Sequence, residues 1–182
     1  DLSPAERAAK LNRAGAPVVG CTMAIDQQGE ILARGNMVMD GYWDQPDQTA
    51  AAIHDGFFHT GDGGFIDDDN YVVISDRKKD VIISGGENVY PAEVEAVLAE
   101  LTAIGECAVV GVPDERWGEV GRAYVIPVPG YTITPDEVIA HCAERLAKFK
   151  VPKTAIVTDG IPRTASGKVQ KHLLRARALE EL

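Results

Sequence analysis

The sequence predicts an α+β fold, with a β-rich segment over residues 1–77 followed by a compact small α+β domain over 78–182. Three observations carry this. Short apolar runs bounded by Gly, Asp and Asn dominate the first part. Clear helical periodicity, opened by Pro91 and Pro135, follows only after residue 90. From Val81 onward the signals run β-α-β-β-α-β-α, a length and mixture ordinary for one small domain.

The elements can be justified in order. Ser3-Pro4-Ala5-Glu6 is a capping box with Pro at the first helical position, predicting a short helix. Strands are predicted at Val18–Ile25, Glu30–Arg34, Phe57–Thr60 and Tyr71–Ser75, with a small helix at Pro46–Ile53. These strands do not close a core alone and resemble the edge of a larger body. Val81-Ile82-Ile83 reads as a strand, and Ser84-Gly85-Gly86-Glu87-Asn88 as the turn that ends it. Pro91 opens a helix whose apolar residues Val94, Val97, Leu98 and Leu101 share one face. Glu106–Val112 and Arg122–Val128 are strands. Thr134-Pro135-Asp136-Glu137 is a second capping box, starting a helix that turns Val138, Ile139, Cys142 and Leu146 inward. Thr154–Val157 is a further strand and Val169–Leu179 the last helix.

Composition bounds the chemistry. The 182 residues are 45% hydrophobic, enough for a real core, and carry a formal charge of −10. That balance argues against non-specific binding to nucleic acid or anionic membrane. The charge is uneven: between Arg145 and Arg177, nine basic residues face one acid, Asp159, a local net of +8. Such a run reads either as a solvated face or as a docking surface for a small polyanion. Cys21, Cys107 and Cys142 have no metal-ligand spacing and read as reduced packing residues, pointing to a cytoplasmic chain. No apolar run is long enough to span a membrane. The start, Asp1-Leu2-Ser3-Pro4, lacks Met and an apolar leader and is expected of a fragment.

Four clusters can carry chemistry. In His59-Thr60-Gly61-Asp62-Gly63 a carboxylate in a glycine-flanked turn could accept two hydrogen bonds from a sugar diol, or could stabilise its own turn. Ser75-Asp76-Arg77-Lys78-Lys79-Asp80 packs five charges between two apolar strands, as a solvated connector or as a hinge presenting Arg77 to an anion or ribose. The pair Gly85-Gly86 permits positive φ and close approach of another chain or ligand. It is not a phosphate-gripping loop, because G-x-x-x-x-G-K-[ST] is absent. Pro162-Arg163-Thr164-Ala165-Ser166-Gly167-Lys168 is a small-residue loop that could swing a cation to a phosphate, or simply expose a surface Lys. Trp117 reads as a core residue.

Taken in register, these clusters resemble the C-terminal third of the adenylate-forming acyl-CoA synthetase family, which includes luciferases and peptide-synthetase adenylation domains. The likeness runs from about Gly15 to Leu174 through HTGD at 59–62, DRKKD at 76–80, SGGENVYPAEVE at 84–95, VVGVPDERWGE at 109–119, LAKFKVPK at 146–153 and PRTASGK at 162–168. Residues 1–77 would then be the edge of the large adenylation domain and 78–182 the small mobile domain. The resemblance implies activation of a carboxylate by ATP to acyl-adenylate and pyrophosphate, then acyl transfer to coenzyme A, with the small domain rotating between the two steps. It implies that Asp62 binds the ribose hydroxyls with Arg77 assisting, and that Lys79 is the hinge. Gly85 and Gly86 would line the pantetheine tunnel, and Lys168 would be the catalytic Lys of adenylation. Lys148, Lys150 and Lys153 are candidates for the coenzyme A nucleotide. A fatty acid is the substrate the GGENVYPAEVE style points to.

The chain departs from the family in two places. The ATP-gripping loop, most of the acyl pocket and the magnesium-holding Glu would belong to an N-terminal domain of the same polypeptide, preceding Asp1. Mg2+ is expected with ATP, its ligands lying outside this chain. Asp26-Gln27-Gln28-Gly29 also runs directly into Glu30, where the family usually has about ten more residues. The fragment alone is expected to be inactive. Alternatives are an enzyme loading a carrier-protein thiol or other acceptor, and a non-catalytic interaction module on this fold; homo-oligomer formation is left open.

Overall fold

The computed structural model describes residues 3, 7, 10, 11 and 13–181. Of the helix expected from the capping box at residues 3–6, residues 4–6 lie outside the described residues, whereas Arg7, Lys10 and Leu11 are helical and the Arg7 N–H donates to the Ser3 carbonyl at 2.9 Å. The chain divides into two compact units, Asp1–Lys79 and Asp80–Leu182.

The first unit is built on a five-stranded antiparallel sheet of β1 (Cys21–Ile25), β2 (Glu30–Gly35), β3 (Ile53–His54), β4 (Phe57–Ile66) and β5 (Val72–Arg77). Its order is β1-β2-β4-β3, with β5 also on β4. The short helix α1 (Pro46–Ala52) buries none of its residues. Among the described residues of this unit, Ile31 and Val72 are the buried hydrophobic side chains, while Trp43 and Val19 stand in solvent. The junction at Asp26–Glu30 is a closed hairpin. Asp26 Oδ1 accepts the N–H groups of Gln28 and Glu30, Gly29 takes a φ of +80°, and the register is unbroken from Cys21↔Gly35 to Ile25↔Ile31.

One element differs in kind from its expectation. HTGDGG, read as a strand ending in a turn, is the middle of the ten-residue strand β4. Its glycines mark a close approach instead of a reversal. The register shifts between Gly63 and Gly64, and a Cβ on Gly64 would meet the Val73 carbonyl at an impossible 2.2 Å.

The second unit has strands β6 (Ile82–Ser84), β7 (Glu87–Val89), β8 (Ile104–Asp114), β9 (Gly118–Pro127) and β10 (Thr154–Val157), and helices α2 (Pro91–Leu98), α3 (Pro135–Arg145) and α4 (Lys171–Glu180). Its sheet is ordered β10-β9-β6-β7, with β8 paired to β9. β8 and β9 form a long antiparallel hairpin, and β10 joins β9 in parallel. Alternation along these strands feeds two cores. Val109, Ala123 and Val125 pack with Val94 and Leu98 of α2 and Val138 and Cys142 of α3. Ala108, Val110 and Tyr124 pack with Leu174 and Ala178 of α4. Helices thus cover both faces, which is why Ala108–Val112 and Ala123–Ile126 read as nearly unbroken apolar runs.

Thr134 and Glu137 form the reciprocal capping box the sequence predicts for α3. The last helix starts at Lys171, two residues later than expected. Val169 instead bridges back to Arg163, and the Gln170 N–H donates to the Pro162 carbonyl at 2.8 Å. All three cysteines are free thiols. Burial, with Glu95 adding to it at Cys107, pushes the Cys107 and Cys142 thiols up to about 11. No helix among the described residues is long and apolar enough to cross a membrane.

Candidate functional site

In the first unit, antiparallel pairing of β4 and β5 sets Asp62 opposite Arg77. Arg77 Nε lies 2.7 Å from Asp62 Oδ1, with the Asp62 side chain 23% exposed and Arg77 56%. The two residues named for a ribose are therefore already partners, with a carboxylate oriented and still reachable from solvent. Beneath them stands a residue the sequence reading missed. Glu30, 6% exposed, accepts the Gly61 N–H at 2.9 Å and Lys78 Nζ at 3.0 Å, with His59 Nδ1 at 3.3 Å. Burial raises the Glu30 carboxyl, but Lys78, Gly61 and His59 outweigh it, and the net shift is below the ordinary carboxylate value. Thr60 adds a second brace, donating to the Ile31 carbonyl and accepting the Asp62 N–H. The backbone at 60–62 is thus held in place by β2. The signal available in sequence was the Gly29-Glu30-Ile31 turn exit, which periodicity alone marks only as a strand start. Lys79 is exposed within the single 3-10 turn Lys78–Asp80.

In the second unit, Gly85 and Gly86 form the two-residue turn of the β6–β7 hairpin, with φ of +62° and +88°. Positive φ at both positions is the requirement of a tight hairpin turn whose twist matches its strands. Trp117, expected in the core, is 44% exposed and covers this turn instead. A Cβ on Gly85 would fall 2.8 Å from Trp117 Cε3, and the Gly85 N–H donates to the Trp117 carbonyl. The reason is local: Asp114 Oδ1 accepts the N–H groups of Arg116 and Trp117, turning the chain so that the indole leaves the sheet. The Arg116 guanidinium lies 4.7 Å over the Trp117 ring. The glycine turn, an indole and a guanidinium form one ledge.

The Lys168 loop is not free to swing by itself. The Thr164 N–H donates to the Lys168 carbonyl, the Lys168 N–H to Thr164 Oγ1, and the Gly167 N–H to the Thr164 carbonyl. Arg163 donates to the Gly167 carbonyl at 2.6 Å and pairs with Glu106 at 2.6 Å. The backbone is pinned, and the exposed Lys168 side chain projects from it.

Folding also answers much of the +8 stretch. Seven of its nine cations are paired, with partners Glu100 and Glu144 (Arg145), Glu93 (Lys150), Asp114 (Lys153), Glu106 (Arg163), Glu95 (Lys171), Asp80 (Arg175) and Glu181 (Arg177). Among the described residues, only Lys148 and Lys168 of the nine make no ion pair. Two of the three lysines named for a nucleotide, Lys150 and Lys153, are therefore already neutralised by carboxylates. Lys153, with two backbone N–H groups helping, holds the Asp114 carboxyl below the usual carboxylate range. No three His, Cys, Asp or Glu side chains among the described residues are grouped to hold a metal ion.

Residues 93–168 match the family model of the AMP-binding enzyme C-terminal domain. Over that segment the chain is similar to the C-terminal domain of AMP-binding enzymes, and the sequence relatives it matches are named as CoA ligases and synthases. It is 57% identical over 162 residues to a (7a-methyl-1,5-dioxo-octahydro-1H-inden-4-yl)propanoyl:CoA ligase of Rhodococcus jostii (strain RHA1), covering 88% of this chain and 32% of that protein. A feruloyl-CoA synthase of Amycolatopsis sp is 51% identical, covering 83% and 31%. The o-succinylbenzoate CoA synthetase of Bacillus subtilis, solved with an acyl-adenylate intermediate, superposes with a TM-score of 0.84 at 38% identity, covering 96% of this chain and 37% of that one. The chain spans about a third of the length of the curated relatives it matches.

Proposed function

We propose that this chain is the C-terminal portion of an ATP-dependent, AMP-forming acyl-CoA ligase, working with an N-terminal adenylation domain of the same polypeptide. The observation that carries this reading is Lys168: a cation without a carboxylate partner among the described residues, exposed at the end of a loop whose backbone is hydrogen-bonded in place. In such an enzyme a substrate carboxylate oxygen attacks the α-phosphorus of ATP, forming acyl-AMP and expelling pyrophosphate. Negative groups crowd together, and a compact ammonium is suited to that crowd. Electrostatic groups of this kind are typically worth ~10²–10³ in rate. The thiol of coenzyme A then attacks the acyl carbon and AMP leaves.

Asp62 would accept hydrogen bonds from the ribose hydroxyls, with Arg77 holding its carboxylate. Lys79 would be the pivot between the two steps. The Gly85-Gly86 turn and Trp117 would flank the pantetheine arm. Lys148 is the best placed of the three named lysines to meet a coenzyme A phosphate, since Lys150 and Lys153 must first release Glu93 and Asp114. Mg2+ would accompany ATP on ligands outside this chain.

The experiment separates the half-reactions in the full-length protein. Lys168→Ala should slow acyl-adenylate formation by about 10²-fold or more while sparing thioester formation from supplied acyl-adenylate. Gly86→Trp should do the reverse. Loss of the same half-reaction in both variants would overturn the two-step assignment. Ligase turnover by the isolated 182-residue chain would overturn the need for an N-terminal domain. Offering the supplied adenylate coenzyme A or a carrier protein decides the acceptor. A fatty acid, a feruloyl-type acid and an indenyl-propanoic acid should be compared as substrates; the latter two correspond to the acyl groups in the two sequence relatives' names.

A further inference from the structure

We infer that the ion pair between Asp80 and Arg175 is a positioning pair that sets where Lys168 stands relative to the pivot at residue 79; this rests on the roles proposed above for Lys79 and Lys168. Asp80 is the first residue of the second unit and follows Lys79 directly. Its carboxylate is 12% exposed, and Arg175 reaches it from the middle of α4 with a 2.8 Å contact, across 95 residues of sequence. Neither the domain's two cores nor its sheet requires a charge pair at this point.

From Arg175 a continuous set of contacts leads to Lys168. The helix α4 is one rigid piece: Lys171 at its first residue pairs with Glu95, and Leu174 and Ala178 are buried. The Tyr124 hydroxyl donates to the Leu174 carbonyl, and Arg122 to the Ala178 carbonyl and to Glu181. Gln170, which caps the start of α4, donates its N–H to the Pro162 carbonyl, and Val169 bridges Arg163. These contacts close the loop that carries Lys168. Asp80 therefore grips the piece from which Lys168 projects.

The glycine turn is reached by a different route. Gly85, five residues after Asp80, follows β6 and donates its N–H to the Trp117 carbonyl, while Ser84 just before it pairs with Gly118 on the sheet. A fault in the Asp80–Arg175 pair should thus misplace Lys168 and leave the glycine ledge in position. Misplacement of a catalytic group by about 1 Å can cost ~10²-fold in rate.

The test uses the full-length enzyme and measures both half-reactions. Arg175→Met keeps the length of the side chain and removes its charge; Asp80→Asn is isosteric. Each should slow acyl-adenylate formation by about tenfold or more and leave thioester formation from supplied acyl-adenylate unchanged. Arg175→Lys, which restores a charge, should recover part of the lost rate. Equal loss in both half-reactions, or unchanged adenylation in Asp80→Asn, would overturn the inference. Thermal unfolding identifies any variant that fails to fold, and Asp80→Asn and Arg175→Lys then decide. Lys168→Ala is run beside them. If it slows adenylation and the Asp80 and Arg175 variants do not, the positioning inference alone fails. If it has no effect on adenylation, the functional reading fails, and the inference with it.

Discussion

Glu30 shows how much a single buried carboxylate can organise. Three donors from β4 and from the residue before Lys79 converge on it. Its pKa lies below the ordinary 4.5, so the stability it contributes is fully present above that value and is lost as pH falls through the lower, folded one. The melting temperature of the wild-type chain should therefore fall as pH is taken below about 4.5. Glu30→Gln should melt lower at neutral pH and show a flatter acid limb, measured by circular dichroism. The cysteines offer a second check. Cys107 and Cys142, held as thiols by burial, should react slowly with iodoacetamide at about pH 8. Denaturant should equalise all three.

At the scale of elements, the β6–β7 hairpin and the cap of α3 invite opposite kinds of substitution. A Cβ on Gly86 meets no atom, so Gly86→Ala should cost only its left-handed backbone, about 1–2 kcal/mol. Gly85→Ala should cost more, since it also displaces the Trp117 ring. Thr134→Ala removes a reciprocal cap and should cost about 1 kcal/mol. Chemical denaturation of the three variants ranks them. The α+β class and the helix starts at Pro91 and Pro135 were legible because proline, capping residues and apolar spacing act locally. The continuation of β4 beyond Thr60 was not, because its glycines serve a neighbouring strand and local sequence there shows mostly turn-forming residues. Trp117 was misassigned for a similar reason. Its apolar ring argues for burial, but Asp114 turns it outward onto a glycine found 32 residues earlier. The Lys168 loop was located in sequence, whereas its pinning by Arg163 and Glu106 depends on a strand far upstream.

For the molecule as a whole, the two units differ in how much core they own. Both faces of the second unit's sheet are covered by helices, whereas the first unit leaves Trp43, Val18 and Val19 exposed. Residues 80–182 expressed alone should therefore unfold in one cooperative transition, with agreement between calorimetric and spectroscopic enthalpies as the check. Residues 1–79 alone should bind a hydrophobic dye and melt without a sharp transition.

The cations of residues 145–177 behave differently from what their number implies. A charge already matched by a carboxylate at contact distance has little left to offer a distant anion, and little to lose when mobile ions gather round it. Of those nine cations, Lys148 and Lys168 remain uncompensated among the described residues. If the proposed function holds, affinity for ATP and coenzyme A should decline only gently with rising ionic strength, far less than nine free cations would dictate. Titrating the KM values against potassium chloride would read this directly, and Lys148→Gln should flatten the coenzyme A dependence further. Most of the basic side chains in that stretch are engaged before any polyanion arrives.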